Sequence, residues 1–131
     1  MSQITVGSSY YTLCDGSNGA CGDCNNNDMQ AAWANLSGFG NLEPSGCTCN
    51  GFNGSNLPAF SCNETVTVKD ICNDVTASVK ITDHDSPGGC YCDHDCNGYY
   101  SVLRAMDMTE HAFVYFTGST TGGLTGVTVT Y

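Results

Sequence analysis

Ten cysteines in 131 residues constrain this chain more than any other feature. An even, high count in a short chain reads as a disulfide framework made in an oxidising compartment, and it predicts a secreted protein. The alternative is an intracellular chain whose cysteines hold metal. The opening MSQITVGSS has no basic stretch leading into an apolar run, so it does not read as a signal peptide, and the expectation is that a leader has been trimmed. No apolar stretch is long enough to cross a bilayer as a helix. At this length a single domain, residues 1–131, can bury a core of its own.

Thirteen acidic residues face only Lys69, Lys80 and Arg104, giving a formal charge of −10. Nothing in such a chain can replace the counterions of a phosphate backbone, so nucleic acid is excluded as a partner, and anionic membranes with it. Uncharged glycans, basic protein surfaces and divalent cations remain.

The polarity pattern changes along the chain. QITVGSSYYTL, residues 3–13, reads as a first strand. From Cys14 to Cys62 the sequence is Gly, Asn, Ser and Cys, interrupted by DMQAAWANL. That segment is expected to be a helix capped by Asn27 or Asp28, with Met29, Ala32, Trp33 and Leu36 on one face and Trp33 in the core. After Cys62 the period becomes two: Val66 and Val68, then Val75, Ala77, Val79 and Ile81, mark half-buried strands. Continuing that parity puts Asp83 on the inward face at a strand end and turns His84 away. YYSVLRAMD reads as a further strand. Thr109 is placed to cap a short helix carrying Ala112, Phe113 and Phe116, which Gly118 would close. GGLTGVTVTY supplies the last strand, with Val127, Val129 and Tyr131 on one face. The predicted fold is mainly β, a small closed barrel with one or two short helices, rich in disulfides.

One stretch, TDHDSPGGCYCDHDC, holds the triplet Asp-His-Asp twice. Three readings compete for Asp85, Asp93, His94 and Asp95: a solvated acidic loop, a wall of a substrate groove, or a cation site. His84 and His94 with Cys90, Cys92 or Cys96 offer the nitrogen and sulfur donors zinc prefers, but C-x-C-x3-C is not a usual zinc spacing and cystines cannot ligate. The carboxylates match no EF-hand spacing. No metal and no cofactor are assigned.

GACG at 19–22, CNETVTVKD at 62–70, VKITD at 79–83, MDMTEHAF at 106–113 and LTGVTVTY at 124–131 together resemble the six-stranded double-psi β-barrel of expansins, barwin, rare lipoprotein A and glycoside hydrolase family 45. The resemblance covers residues 7–131, with 37–61 poorly matched. It implies that Asp83 matches the aspartate ending the VTD strand, and that Asp107 matches the acid of the DLS turn. Met106-Asp107 stands where plant expansins and the hydrolases have Phe-Asp, closer to the barwin and rare lipoprotein A pattern. The inverting hydrolases carry a base aspartate just before the first-loop cysteine, and here that position is Leu13, with Asp15 the nearest substitute. Inversion needs two carboxyls about 6.5–9.5 Å apart.

The resulting expectation is a secreted, monomeric, expansin-like protein that binds and loosens neutral cell-wall polysaccharide, of β-glucan or other type, with little or no hydrolysis. Asp107 and Asp83 are its candidate acids and Asp15 a third. Tyr10, Tyr11, Tyr91 and Tyr99 are candidate stacking surfaces for sugar rings. The alternatives are a weak family 45-like endoglucanase using Asp107, a lytic transglycosylase running on a single aspartate, and a barwin-like defence or protease-inhibitor protein without catalysis.

Overall fold

The alternating segments form strands, and the strands close on themselves. In chain order the elements are β1 (Gln3–Tyr11), β2 (Asp15–Gly19), β3 (Gly22–Asn25), β4 (Gln30–Trp33), β5 (Asn35–Leu36), β6 (Gly40–Asn41), β7 (Thr48–Cys49), β8 (Phe52–Asn53), a 3-10 turn (Gly54–Asn56), β9 (Thr65–Asp70), β10 (Val75–His84), β11 (Cys92–His94), β12 (Tyr100–Thr109), α1 (Glu110–Thr117) and β13 (Thr125–Thr130). The computed structural model describes the chain except residues 13–14, 44–47, 50–51, 86–91 and 95–99.

Six strands run in the order β1-β13-β9-β10-β4-β12, and β12 pairs back onto β1. The barrel is therefore closed, which removes the unpaired edges an open sheet would expose. β11 lies outside it, on β12. Two of the six seams, β1–β12 and β10–β4, are parallel and the others antiparallel. The fold is a mainly-β, six-stranded barrel of the double-psi kind, as expected.

Burial follows the two-residue period most cleanly in β9, where Val66, Val68 and Asp70 are buried and Thr65, Thr67 and Lys69 exposed. Val6, Val79, Ile81, Met106, Met108, Val127 and Val129 complete the barrel interior. Each such side chain taken from water contributes about 1.5–3 kcal/mol. α1 adds Ala112, Phe113 and Phe116 to the same core. Its ends follow the sequence: the Thr109 hydroxyl accepts the Ala112 amide, and Gly118 adopts the left-handed conformation while its N–H returns to the Val114 carbonyl.

The helix expected over DMQAAWANL does not form. Residues 30–33 are instead strand β4, buried at every position between β10 and β12. A helix would satisfy its own backbone groups and leave facing edges of β10 and β12 unpaired, so tertiary pairing overrides local propensity. Ala31 and Ala32 let the neighbouring strands pack closely. Trp33 is in the core as expected, its indole N–H donating to the Pro58 carbonyl at 2.8 Å and its ring against Phe60.

Cys21 is bonded to Cys62, tying the first loop to the approach of β9. Cys24, Cys49 and Cys72 are also in disulfides, and no cysteine among the described residues is free.

Candidate functional site: an acid pair at the end of three strands

The site begins with a bulge. Ile81 pairs with Ala31 and Asp83 with Ala32, so Thr82 is the extra residue on β10. Thr82 is buried and its hydroxyl donates to the Gln30 side-chain oxygen at 3.1 Å. The simple parity extrapolated past Ile81 therefore stops there. The Asp83 carboxylate accepts the Ala20 amide at 2.7 Å and the amide of His84 at 2.8 Å. Beside it the Cys21 amide reaches the Thr82 carbonyl at 3.3 Å. A Cβ on Gly19 would lie 2.7 Å from that same carbonyl oxygen. The GACG loop is thus docked on the end of β10, and only glycine allows the approach.

Asp107 also pairs with Ala32, from the other side, and with Ser9 on β1. Asp83, Ala32, Asp107 and Ser9 therefore form one row across four adjacent strands. Two strand spacings separate the two aspartate backbones, about 10 Å. The Ala32 methyl is all that stands between them in the row. Asp107 is 8% exposed, and the Ser9 hydroxyl donates to its Oδ1 at 3.0 Å. Tyr11, two residues after Ser9, extends to the Cys24 sulfur at 3.5 Å. Burial, and then the charges of Asp83, Asp107 and Asp85, push its phenol well above the ordinary tyrosine range. Three carboxyls and one phenol therefore share one neighbourhood.

Burial is also the main reason the Asp107 carboxyl is raised, to about 7. The Ser9 hydrogen bond and the Arg104 charge oppose it, whereas the Asp85 charge and a hydrogen bond with Asp85 add to it. A neighbouring carboxylate disfavours loss of the Asp107 proton, in the same direction as burial. Asp85 is the closer acidic neighbour. It came to notice in the sequence only as a loop residue, although its two-residue spacing from Asp83 on an extended segment was a usable signal.

The first Asp-His-Asp triplet therefore divides into three tasks. Asp83 holds the first loop, and Asp85 is an acidic neighbour whose charge helps raise the Asp107 carboxyl. His84 bonds through Nε2 to the Gly40 carbonyl at 2.8 Å and packs against the Phe39 ring. Among the described residues no three His, Cys, Asp or Glu side chains converge as metal ligands would.

Of the remaining candidates, Tyr10 is turned to the other side of β1, where its ring lies 5.0 Å from Phe113. Asp15 opens β2 opposite Asn25, and its side chain lies outside those described. Tyr91, Tyr99 and Asp95 lie outside the described residues, and Asp93 and His94 are described in their backbone alone. His111 lines a separate cavity of about 290 Å³ with Asn26, Asn27, Glu110 and Val114. None of the acid-pair residues lines it.

No protein-family model matches the sequence, and no curated protein matches it. Among solved structures the chain is similar to the Streptomyces papain inhibitor, with a TM-score of 0.52 and 20% sequence identity, over 98% of this chain and 93% of that one. At that identity the likeness is one of fold.

Proposed function

We propose that this is an extracellular protein that binds neutral cell-wall polysaccharide and loosens its packing, with little or no hydrolysis. The observation that carries the reading is the Asp107 carboxyl, buried and bonded to the Ser9 hydroxyl, with Asp85 as an acidic neighbour. In its protonated form Asp107 donates to an ether or hydroxyl oxygen of a glycan chain, and the Asp85 carboxylate accepts from a hydroxyl. Together they replace hydrogen bonds that hold one chain to the next.

Hydrolysis asks for more. Inverting enzymes pair an acid with a free base about 6.5–9.5 Å away, and retaining enzymes with a nucleophilic carboxylate about 5–5.5 Å away. Asp83 stands farther off, but its oxygen is committed to the Ala20 and His84 amides. A carboxylate already accepting two amides is a poor base, which favours binding and disruption over cleavage. The disulfides support extracellular residence.

The test is co-sedimentation with amorphous cellulose, chitin and peptidoglycan sacculi, with reducing ends and anhydro-muropeptides measured in the supernatant. Binding without product, weakened in Asp107→Ala, is the expected result. Product that disappears in Asp107→Asn would replace the proposal with an enzyme: reducing sugar with an endoglucanase, anhydro ends with a lytic transglycosylase. The full-length likeness to a papain inhibitor favours a second reading, inhibition of a cysteine protease through the surface. Inhibition of papain by a protein that binds none of the glycans would establish it.

A further inference from the structure

Three asparagines open the motif N-x-[ST], which marks an acceptor for an N-linked oligosaccharide: Asn35, Asn53 and Asn63. The fold treats them differently. Asn35 is half-buried on β5, where its Nδ2 donates to the Leu57 carbonyl at 2.8 Å and its own carbonyl accepts the Phe60 amide at 3.1 Å. The nitrogen that would carry a sugar is therefore spent inside the fold. Asn53, on β8, is described in its backbone alone.

Asn63 is exposed, at the corner of the turn that leads into β9. The Ser61 carbonyl accepts the Glu64 amide at 3.1 Å, and the Glu64 carboxylate accepts the Ser61 amide at 3.0 Å. Asn63 is the third residue of that turn, with φ 67°, a left-handed conformation that asparagine tolerates better than most residues. Its backbone amide donates to the Ile81 carbonyl at 2.7 Å, and Cys62 beside it is bonded to Cys21. Backbone, a glutamate and a disulfide thus hold the turn. Among the described residues the Asn63 side chain makes no hydrogen bond. Thr65, whose hydroxyl completes the motif, is exposed at the first position of β9.

We infer that Asn63 is the acceptor of an N-linked glycan and that Asn35 is not. This rests on the reading of the protein as extracellular, since the transfer is made to chains entering a secretory route. The donor is an oligosaccharide carried on a polyprenyl pyrophosphate. The Asn63 Nδ2 forms a bond to the sugar C1 while the C1–O bond to the pyrophosphate breaks; the pyrophosphate leaves with the electron pair, and Nδ2 gives up one proton. A bulky, hydrated group at this corner costs the fold no hydrogen bond. The same group on Asn35 would break the bond to Leu57.

The experiment is secretion of the chain behind a cleavable leader from a yeast host, with peptide mass mapping before and after treatment with peptide N-glycosidase. The wild-type peptide that contains Asn63 should carry added hexose mass, which the glycosidase removes while converting the asparagine to aspartate. Asn63→Gly keeps the left-handed turn and Thr65→Val keeps the strand. Both should lose the added mass from that peptide and unfold thermally like deglycosylated wild type. Ser37→Ala deletes the Asn35 motif without touching the Asn35 hydrogen bond, and it should leave the glycan in place. Secreted, fully oxidised protein whose Asn63 peptide is unmodified overturns the acceptor and leaves the extracellular reading standing. A glycan that is found on Asn35, and that Ser37→Ala removes, overturns the assignment between the two. A chain that stays in the cell with free thiols overturns the extracellular reading and the inference with it.

Discussion

Asp70 and Asp107 are both buried aspartates on barrel strands, and their surroundings differ. Asp70 pairs with Val75, the first residue of β10, whereas Asp107 shares Ala32 with Asp83 near the last. The Asp70 carboxylate accepts the Cys72 amide at 2.8 Å, the Asn73 amide at 3.2 Å and the Thr125 hydroxyl at 2.9 Å. Asp107 has the Ser9 hydroxyl and faces a second carboxyl. Burial alone therefore does not mark a working acid; the supply of donors does. After Asp70 the chain turns, and a turn leaves amides free to point at a side chain. Around Asp107 the chain continues as strand, so those amides are spent on the sheet.

The sharpest way to break this comparison is to make the same substitution at both positions. Asp70→Asn puts an amide nitrogen against donors and strands at least one of them, so it should cost about 2–4 kcal/mol in denaturant unfolding. Asp107→Asn resembles the protonated acid already present. It should change stability by less than about 1 kcal/mol at pH 5 and exceed wild type at pH 8. Equal losses at both positions would show that Asp107 is a structural carboxylate like Asp70.

A pH series sharpens the comparison further. The folded state holds a proton on Asp107 more tightly than an unfolded aspartate does, because its carboxyl is raised to about 7. Native protein then binds more protons than unfolded protein between about pH 4 and pH 7, and stability falls as pH rises through that window. Below it the contribution is complete, and above it lost. Glu43 adds to the trend: it is 5% exposed, neither carboxylate oxygen has a hydrogen-bond partner among the described residues, and burial raises it to about 7. Full desolvation would give on the order of 4 kcal/mol for Asp107 and on the order of 3 kcal/mol for Glu43, and solvent screening reduces each to about 2 kcal/mol or less. Asp107→Asn should remove one part of the slope and Glu43→Gln the other, measured as unfolding free energy from pH 4 to 8. A flat profile in wild type would contradict both assignments.

How far the sequence was legible follows from the same contrast. β9, β10, β13 and both ends of α1 were readable because a two-residue period and a Thr–Gly cap pair are local signals. β4 was not, because two alanines and a tryptophan fit a helix and a buried strand equally well, and pairing partners 50 and 75 residues away made the choice. The Thr82 bulge is likewise a product of register, so parity read from Ile81 stops before Asp83. Asp107 was found through its resemblance to a family turn, and Asp85 needed the fold to bring it there. The three amide and hydroxyl donors of Asp70 left no pattern distinct from any other turn.

The smallest expected effect comes from the same turn as the largest. Lys69 reaches Asp74 at 3.0 Å, with side chains 52% and 83% exposed. Asp74 adopts φ 59°, and its amide donates to the Asp70 carbonyl at 2.8 Å, so its backbone, not its charge, serves the turn. An exposed ion pair gains little in water and is screened by salt. Lys69→Ala should therefore cost less than about 0.5 kcal/mol, and the difference should vanish in 1 M salt. A loss approaching that of Asp70→Asn would mean that charge organises this turn as well. Donor supply would then no longer separate the structural end of the barrel from the acid end.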